Sequence, residues 1–383
     1  MTSCFELDRI STQKSRALQV SDHSFGGKSV ILAGDFAQLA PPGKGQNSLY
    51  SASVGPWTEG LTLRSQQIVM GKALWHTFTT VIILCVNMRQ RGLSEHDAQL
   101  RETLQNVRYK RCKANDFDLL ESRTMGKGLS PDVLKQPHLR NVSIVTPLNA
   151  HRDMLNETGA LRFAAETGQA LRYFHSIDRW SSKAVEHHSV HHEQKMSNRQ
   201  PNTTLTTSNR TISPLQQLLW QLKPCVTDQI PGVLPICRGM PVMLKHNEAT
   251  ELCATNGAEG TVVGWDSSPH PDVDGLEVLD TLYVQLISPP RSVQLPGLPE
   301  NVIPIATSKE DTECILRDDN KLTIQRRQVR VLLNFGMSDF NSQGRTPPVN
   351  PIHITECFTC QSIYTCLSRT SSYDGTYIIG RID

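Results

Sequence analysis

Two kinds of apolar pattern alternate along the first third of the chain. Ser29–Ala33 (SVILA) and Thr79–Val86 (TTVIILCV) are short unbroken runs rich in β-branched residues, the pattern of strands buried on both faces of a parallel sheet. Between them Ile68, Leu74, Trp75 and Phe78 form an apolar stripe over 65–78, and beyond them Leu100, Leu104 and Val107 do the same behind Ser94. Ser94 is placed to cap that helix, with Asp97 in its first turn. The opening residues, MTSCFELDRIS, enter directly into a helical pattern. Strands alternating with helices predict an α/β domain with a mostly parallel sheet.

The pattern restarts at Asn141. Val142–Thr146 reads as a strand and Pro147-Leu148-Asn149 leads into a helix ending near Glu157. Residues 176–213 turn polar and read as a mobile linker or long loop. Met240–Leu244 is a strand, Asn256-Gly257 a hairpin signal, and short strands follow at 260–265, 282–287, 302–307, 313–317 and 322–325, with Asp318-Asp319-Asn320 closing one hairpin. Turn residues separate them, so a small β-barrel is predicted as an insertion. Val329–Phe335 returns to a buried strand. Cys357–Arg369 reads as a helix with Cys357, Cys360, Tyr364 and Leu367 at helical spacing, and Tyr377–Gly380 as the closing strand. The expected domains are 1–135, a partial α/β domain; 136–254 with 329–383, a second α/β domain; and 255–328, the barrel.

Composition narrows the partners. A chain of 383 residues has room for two or three domains, and a formal charge of +2 creates no global basic field, so any nucleic-acid contact must be local. Arg326, Arg327 and Arg330 form one small basic cluster, either a contact of that kind or a solvated strand edge. The ten cysteines are scattered and read as reduced intracellular thiols. No apolar run approaches the roughly 18 residues of a membrane span, which predicts a soluble protein. His187-His188 and His191-His192 have metal-ligand spacing, but they sit in a polar stretch with no core to hold them, so a solvated run is the better reading.

Gly26-Gly27-Lys28-Ser29 imitates the end of a phosphate loop and fails on two counts. Position 22, where that motif needs glycine, is aspartate, and the segment precedes a predicted strand instead of joining a strand to a helix. Cys357 and Cys360 lack a second pair at zinc spacing, which favours core packing. The informative set is distributed: Gly34-Asp35-Phe36-x-Gln38, Asn87-Met88-Arg89-Gln90, Ser342-Gln343-Gly344 and Leu367-Ser368-Arg369, each at the end of a predicted strand or on a helix beside one. Ligands of open α/β sheets meet the carboxyl ends of strands. Phosphoryl transfer needs a polar group to orient water and arginines to neutralise charge on the γ-phosphate.

In that order, the segments FGGKSVILAGDFAQLAPP, VNMRQ, IVTPLNAHRDMLNE, GMPVMLKHNEATELCATNGAEGTVVGW, SDFNSQGRT and YTCLSRTSSYDGTYI resemble the Pif-type (petite integration frequency) DNA helicases, superfamily 1 motors related to RecD, fungal members above all. The resemblance covers nearly the whole chain. It implies two RecA-like motor domains, the first truncated, with an SH3-like barrel on the second. It implies that Gln38 senses the γ-phosphate, that Asp35 links nucleotide to DNA, that Arg89 and Arg369 are arginine fingers, and that Gln343-Gly344 couples ATP to the DNA track. ATP and Mg²⁺ would be the cofactors and single-stranded or forked DNA the partner. Unwinding would run five-prime to three-prime, in a nucleus or mitochondrion, in DNA repair, recombination or telomere maintenance.

The departures are as informative. Nowhere does the chain contain GxxxxGK[ST], and Met1-Thr2-Ser3 resembles the residues that come directly after the acidic pair of the Walker B strand. The expectation is a carboxyl-terminal portion of such a helicase that lacks the phosphate lysine, the Mg²⁺ ligands and the water-activating glutamate, and that does not hydrolyse ATP alone. The alternatives are a single-stranded nucleic-acid-binding module or a relic fragment. Removal of the Walker strands is expected to leave residues 1–135 with an unpaired sheet edge.

Overall fold

A computed structural model describes residues 2–41, 47–52, 54, 62–180, 212–316 and 321–381. Among the described residues, the α-helices longer than four residues are, in chain order, α1 (Cys4–Ala17), α2 (Leu63–Trp75), α3 (Glu95–Arg108), α4 (Ala114–Ser122), α5 (Asn149–Thr167), α6 (Pro214–Gln221) and α7 (Cys360–Leu367). The strands are β1 (Ile144–Thr146), β2 (Arg172–His175), β3 (Ile177–Arg179), β4 (Val233–Ile236), β5 (Pro241–Leu244), β6 (Glu259–Pro269), β7 (Glu277–Leu286), β8 (Val302–Ala306), β9 (Ser308–Ile315), β10 (Lys321–Gln328), β11 (Val331–Leu333), β12 (Gly336–Ser338), β13 (Asn350–His353) and β14 (Thr376–Ile379). The chain divides into two compact units, one of 1–131 with 342–383 and one of 132–341.

In the first unit, α1 starts in a reciprocal capping box. The Ser3 side chain accepts from the Glu6 N–H, and the Glu6 carboxylate accepts from the Ser3 N–H. Helix α2 presses close against it, with Gly71 so near the Cys4 carbonyl that a Cβ there would lie 1.7 Å from the oxygen. Cys4, Leu7, Phe25 and Leu49 make the core, and Ile68, Leu74, Trp75 and Phe78 pack on it as the stripe predicted. Ser94 caps α3 and accepts from the Asp97 N–H, and Leu100, Leu104 and Val107 are buried. Strands β13 and β14 pair in parallel, Asn350 opposite Thr376, and Ile378 bridges Thr124 at the exit of α4.

Two expected strands of this unit are absent. Ser29–Ala33 and Thr79–Val86 are in neither a helix nor a ladder, and most of their apolar side chains face outward. The residue pattern is that of a central strand, but a strand exists only through its neighbours, and none lies beside either run among the described residues. The helix expected over 357–369 is also shorter. Thr359 caps it, so Cys357 precedes the first turn and Cys360 is exposed, which removes the expected core packing of that cysteine.

The second unit is mainly sheet. One path runs β11-β5-β6-β7-β2-β4 with β8 added to β7, and a second runs β3-β10-β9. The long β6–β7 antiparallel pair bends at two register shifts, as a sheet must to curl toward a barrel. Phe174, Leu234, Ile236, Met240, Val242, Leu282, Val284, Ile303 and Val331 fill its interior. This barrel-like sheet also uses β2, β4 and β5 from before residue 255. Helix α5 runs to Thr167 and ends at Gly168 in the left-handed conformation, ten residues beyond the expected stop near Glu157. Gly159 belongs inside it because the Phe335 ring lies 2.4 Å from where a Cβ would sit.

The polar stretch 176–213 begins in structure, with β3 paired to β10; its histidines and Asp318-Asp319-Asn320 lie outside the described residues. Arg326 departs from both readings of the arginine cluster. Arg326 is fully buried and bonded twice to Asp178, while Arg327 pairs with Asp280 and Arg330 with Glu310. None of the ten cysteines forms a disulfide. Among the described residues no helix is long and apolar enough to cross a membrane.

Candidate anion-binding site

The first unit gathers three arginines around Tyr364. Helix α7 holds the tyrosine and, just past its end, Arg369; the turn after 79–86 delivers Arg89; and Arg108 is the last residue of α3. Arg369 is 1% exposed. Its Nε donates to the Thr365 carbonyl at 3.0 Å and its Nη2 to Ser368 Oγ at 2.8 Å. Arg89 donates through Nε to Thr346 Oγ1 and through Nη1 to the Ser368 carbonyl, both at 2.9 Å. Among the described residues, neither guanidinium has a carboxylate partner. Burial, and then the charge of Arg89, push the Arg369 guanidinium down to about 10. Burial also lowers Arg89, with Tyr364 opposing it.

Arg108 is placed differently. Its Nη1 lies 2.5 Å from Asp35 Oδ2 and 3.1 Å from the Tyr364 hydroxyl. Burial alone would lower its pKa, but the bonds to Asp35 and Tyr364 outweigh it and raise it. Asp35 also accepts from the Ala37 N–H at 2.9 Å and from Gln38 Nε2 at 3.3 Å. This local turn fixes Gln38 at the side of the carboxylate. Asn87 orders the next segment: its Oδ1 accepts from the Arg89 and Gln90 N–H groups, and its Nδ2 donates to Gln90 Oε1. Gln90, buried, then donates to the carbonyls of Ser368 and Thr370.

Of the residues singled out by sequence, Asp35, Gln38, Arg89 and Arg369 are thus joined by contacts or mutual charge. Gly34 is exposed, with open space where a Cβ would be. Gln343 has a buried Nε2 without a hydrogen-bond partner, and Gly344 beside it has φ +80°; their segment reaches Arg89 through Thr346. Arg108 and the site role of Tyr364 escaped the sequence reading. Arg108 comes directly after the buried stripe Leu100-Leu104-Val107, and a charged residue abutting such a stripe is the only signal it gave. Among the described residues, no three His, Cys, Asp or Glu side chains are grouped to hold a metal ion.

Solved structures of similar shape exist. One, of two coordinating Pif1 helicases unwinding forked double-stranded DNA, matches with a TM-score of 0.58 at 15% identity over 100% of this chain and 68% of that one. Pif1 helicase from Candida albicans matches at 0.57 and 16%, over 97% and 70%. Pif1 from Bacteroides in complex with ADP-AlF3 and single-stranded DNA matches at 0.57 and 16%, over 100% and 69%. This chain has the fold of Pif1 helicases. No family model and no curated protein matches the sequence. The expected resemblance to Pif-type helicases therefore holds at the level of fold, and about a third of each solved Pif1 chain has no counterpart here.

Proposed function

We propose that the first unit receives the terminal phosphate of a nucleotide between Arg89 and Arg369, and that the chain is the carboxyl-terminal portion of a Pif-type DNA helicase. The observation that carries this is the pair of part-buried and buried arginines with no carboxylate between them. Two like charges held together out of water are costly unless an anion joins them. The unpartnered Gln343 Nε2 adds a donor in want of an acceptor. In this reading Gln38 orients toward the γ-phosphate, Asp35 is held by Arg108, and Gln343-Gly344 responds to nucleotide. ATP supplies the anion. Among the described residues no three His, Cys, Asp or Glu side chains are grouped to hold Mg²⁺, and no step through the metal is assigned to them.

The assignment extends to architecture: a partial RecA-like domain at 1–135, a second over 136–254 and 329–383, and an SH3-like barrel at 255–328. The parent activity is ATP-driven five-prime to three-prime unwinding in nucleus or mitochondrion. Opening a base-pair step costs on average about 1.4 kcal/mol, which a chain unable to hydrolyse nucleotide cannot supply repeatedly. The test is an ATPase assay with single-stranded DNA present, run beside calorimetric titration with ATP and with inorganic phosphate. Phosphate or ATP binding that disappears in Arg369→Ala, without turnover, is the expected result. A DNA-stimulated rate abolished by Arg369→Ala would restore the enzyme; no anion binding at all would remove the site.

A second reading, a module that binds single-stranded nucleic acid, is favoured by the neighbours solved with single-stranded DNA. Backbone contacts would give a weak affinity that falls with salt. Anisotropy of labelled oligonucleotides across a salt series decides it: binding that is absent, or unaffected by salt, excludes it.

A further inference from the structure

In the second unit, three cationic side chains share one face of the short sheet β3-β10-β9. Antiparallel register sets Arg327 opposite Ile177 on β3 and opposite Lys309 on β9, and sets Gln325 opposite Arg179. Alternation along each strand puts these five residues on the same face, away from the dry Arg326–Asp178 pair. With Pro271 they line a cavity of about 190 Å³. Like charges directly opposite each other on paired strands are destabilising, so the juxtaposition of Lys309 and Arg327 calls for an anion.

Neighbouring carboxylates meet part of that need. Arg179 donates through Nη1 to Asp272 at 2.8 Å, and Arg327 through Nη2 to Asp280 at 3.2 Å. Each of these ion pairs engages one nitrogen of a guanidinium that carries five N–H groups. Lys309 is exposed, and neither its ammonium nor the Gln325 amide has a partner among the described residues. Lysine and arginine side chains offer no acceptor, so a ligand must bring the oxygens. The other linings narrow its chemistry further. Ile177 and Pro271 form an apolar wall, and Gln325 Oε1 is an acceptor among donors. A carboxylate, an apolar side chain and one N–H are the parts of a polypeptide's last residue. A nucleic-acid strand fits worse, because its charges repeat along a line. The three cations surround a single hollow, and Asp272, Asp280 and Asp311 beside it repel a row of phosphates.

We infer that this face captures the carboxyl terminus of a partner polypeptide that ends in an apolar residue. The terminal carboxylate lies between Lys309 and Arg327, with Arg179 reaching it from β3. The last side chain rests on Ile177 and Pro271, and Gln325 Oε1 accepts the last peptide N–H. Capture of a chain end by its carboxylate is a recurring mode of peptide recognition, and a guanidinium matches a carboxylate through paired N–H groups. The site shares no residue with the arginine pair of the first unit.

The test is fluorescence anisotropy on the full chain with an amino-terminally labelled pentapeptide, Gly-Ser-Gly-Ser-Leu, carrying either a free carboxylate or a terminal amide. The acid is expected to bind about tenfold or more tightly than the amide, the worth of one hydrogen bond to a charged group. Lys309→Gln should weaken the acid about tenfold and Lys309→Arg should retain it, with unchanged circular dichroism in both. Asp280→Asn, which releases Arg327 from its present carboxylate, should tighten binding of the acid; a merely structural Asp280 would leave it unmoved. Equal binding of acid and amide, or binding of neither, overturns the inference. So does a single-stranded oligonucleotide that displaces the peptide and itself loses affinity in Lys309→Gln, which would make nucleic acid the occupant. Arg369→Ala should leave peptide binding unchanged, so this site and the phosphate site of the first unit fail separately.

Discussion

Arg326 and Asp178 meet through two parallel hydrogen bonds, at 2.8 and 2.9 Å, with neither side chain reaching solvent. Further hydrogen bonds surround the pair. The guanidinium also donates to the carbonyls of Ile230 and Leu219, and the carboxylate accepts from Ser176 Oγ and Gln216 Nε2. A residue that looked like surface charge is thus the point at which β3, β10, α6 and the loop before β4 are tied together. Removing one partner leaves the other charged and dry, which costs about 3–5 kcal/mol. Arg326→Met is expected to lower the stability of the second unit by that amount in urea unfolding. A change below about 1 kcal/mol would show the pair to be dispensable.

Arg369 gives a prediction whose sign depends on the ligand. Its pKa of about 10 is below the ordinary arginine value, so between those two values the unfolded chain binds more protons than the folded one. Stability must then rise with pH in that window, and below it the charged group is a constant burden. Arg369→Met should remove this alkaline rise and leave the first unit no less stable at neutral pH. Phosphate should reverse the order. At a concentration 100 times its dissociation constant it stabilises by about 2.7 kcal/mol, in the wild type only. Thermal unfolding with and without phosphate, in both proteins, checks the sign.

How far the sequence reached can be seen at three places. Helical periodicity located α3 with its Ser94 cap and its buried face, because those signals are local. It ended α5 early, since nothing within the helix announces that Phe335 occupies the space beside Gly159. The runs at 29–33 and 79–86 are the instructive failure. Their composition is that of central strands, but strand pairing is a property of two segments, and one segment cannot report whether its neighbour is present. The site divides in the same way. Asp35, Gln38, Arg89 and Arg369 were legible as a set, whereas Arg108 became visible only when folding brought it to Asp35.

Asn156 is a single side chain with two obligations. Its Oδ1 accepts from the N–H groups of Phe335 and Gly336, each at 2.9 Å, and the residue is buried. These bonds hold the start of β12 against α5. Asn156→Leu keeps the volume and leaves two buried donors unmet, at about 1–3 kcal/mol each. The expected loss is about 2 kcal/mol or more in chemical denaturation, accompanied by faster exchange at the Phe335 and Gly336 amides. Asn156→Asp, which keeps the acceptor, should retain the protection of those two amides.

Two histidines flank the indole of Trp220, with ring centroids 4.8 Å away for His175 and 5.7 Å for His270. Burial lowers the pKa of both, and the charge of His270 lowers His175 further. A backbone contact at Tyr173 works the other way on His175 and is the smallest of its three influences. The folded state therefore resists protonation more than the unfolded state does. Between the depressed folded values and the ordinary 6.5, the unfolded chain holds more protons and stability rises with pH. Acidification from pH 7 must weaken the second unit once the pH falls through about 6.5, and the Trp220 emission should report it. His175→Gln and His270→Gln together should flatten the acid limb of the stability curve. If the double variant loses stability on acidification as steeply as the wild type, the carboxylates rather than these imidazoles govern the transition.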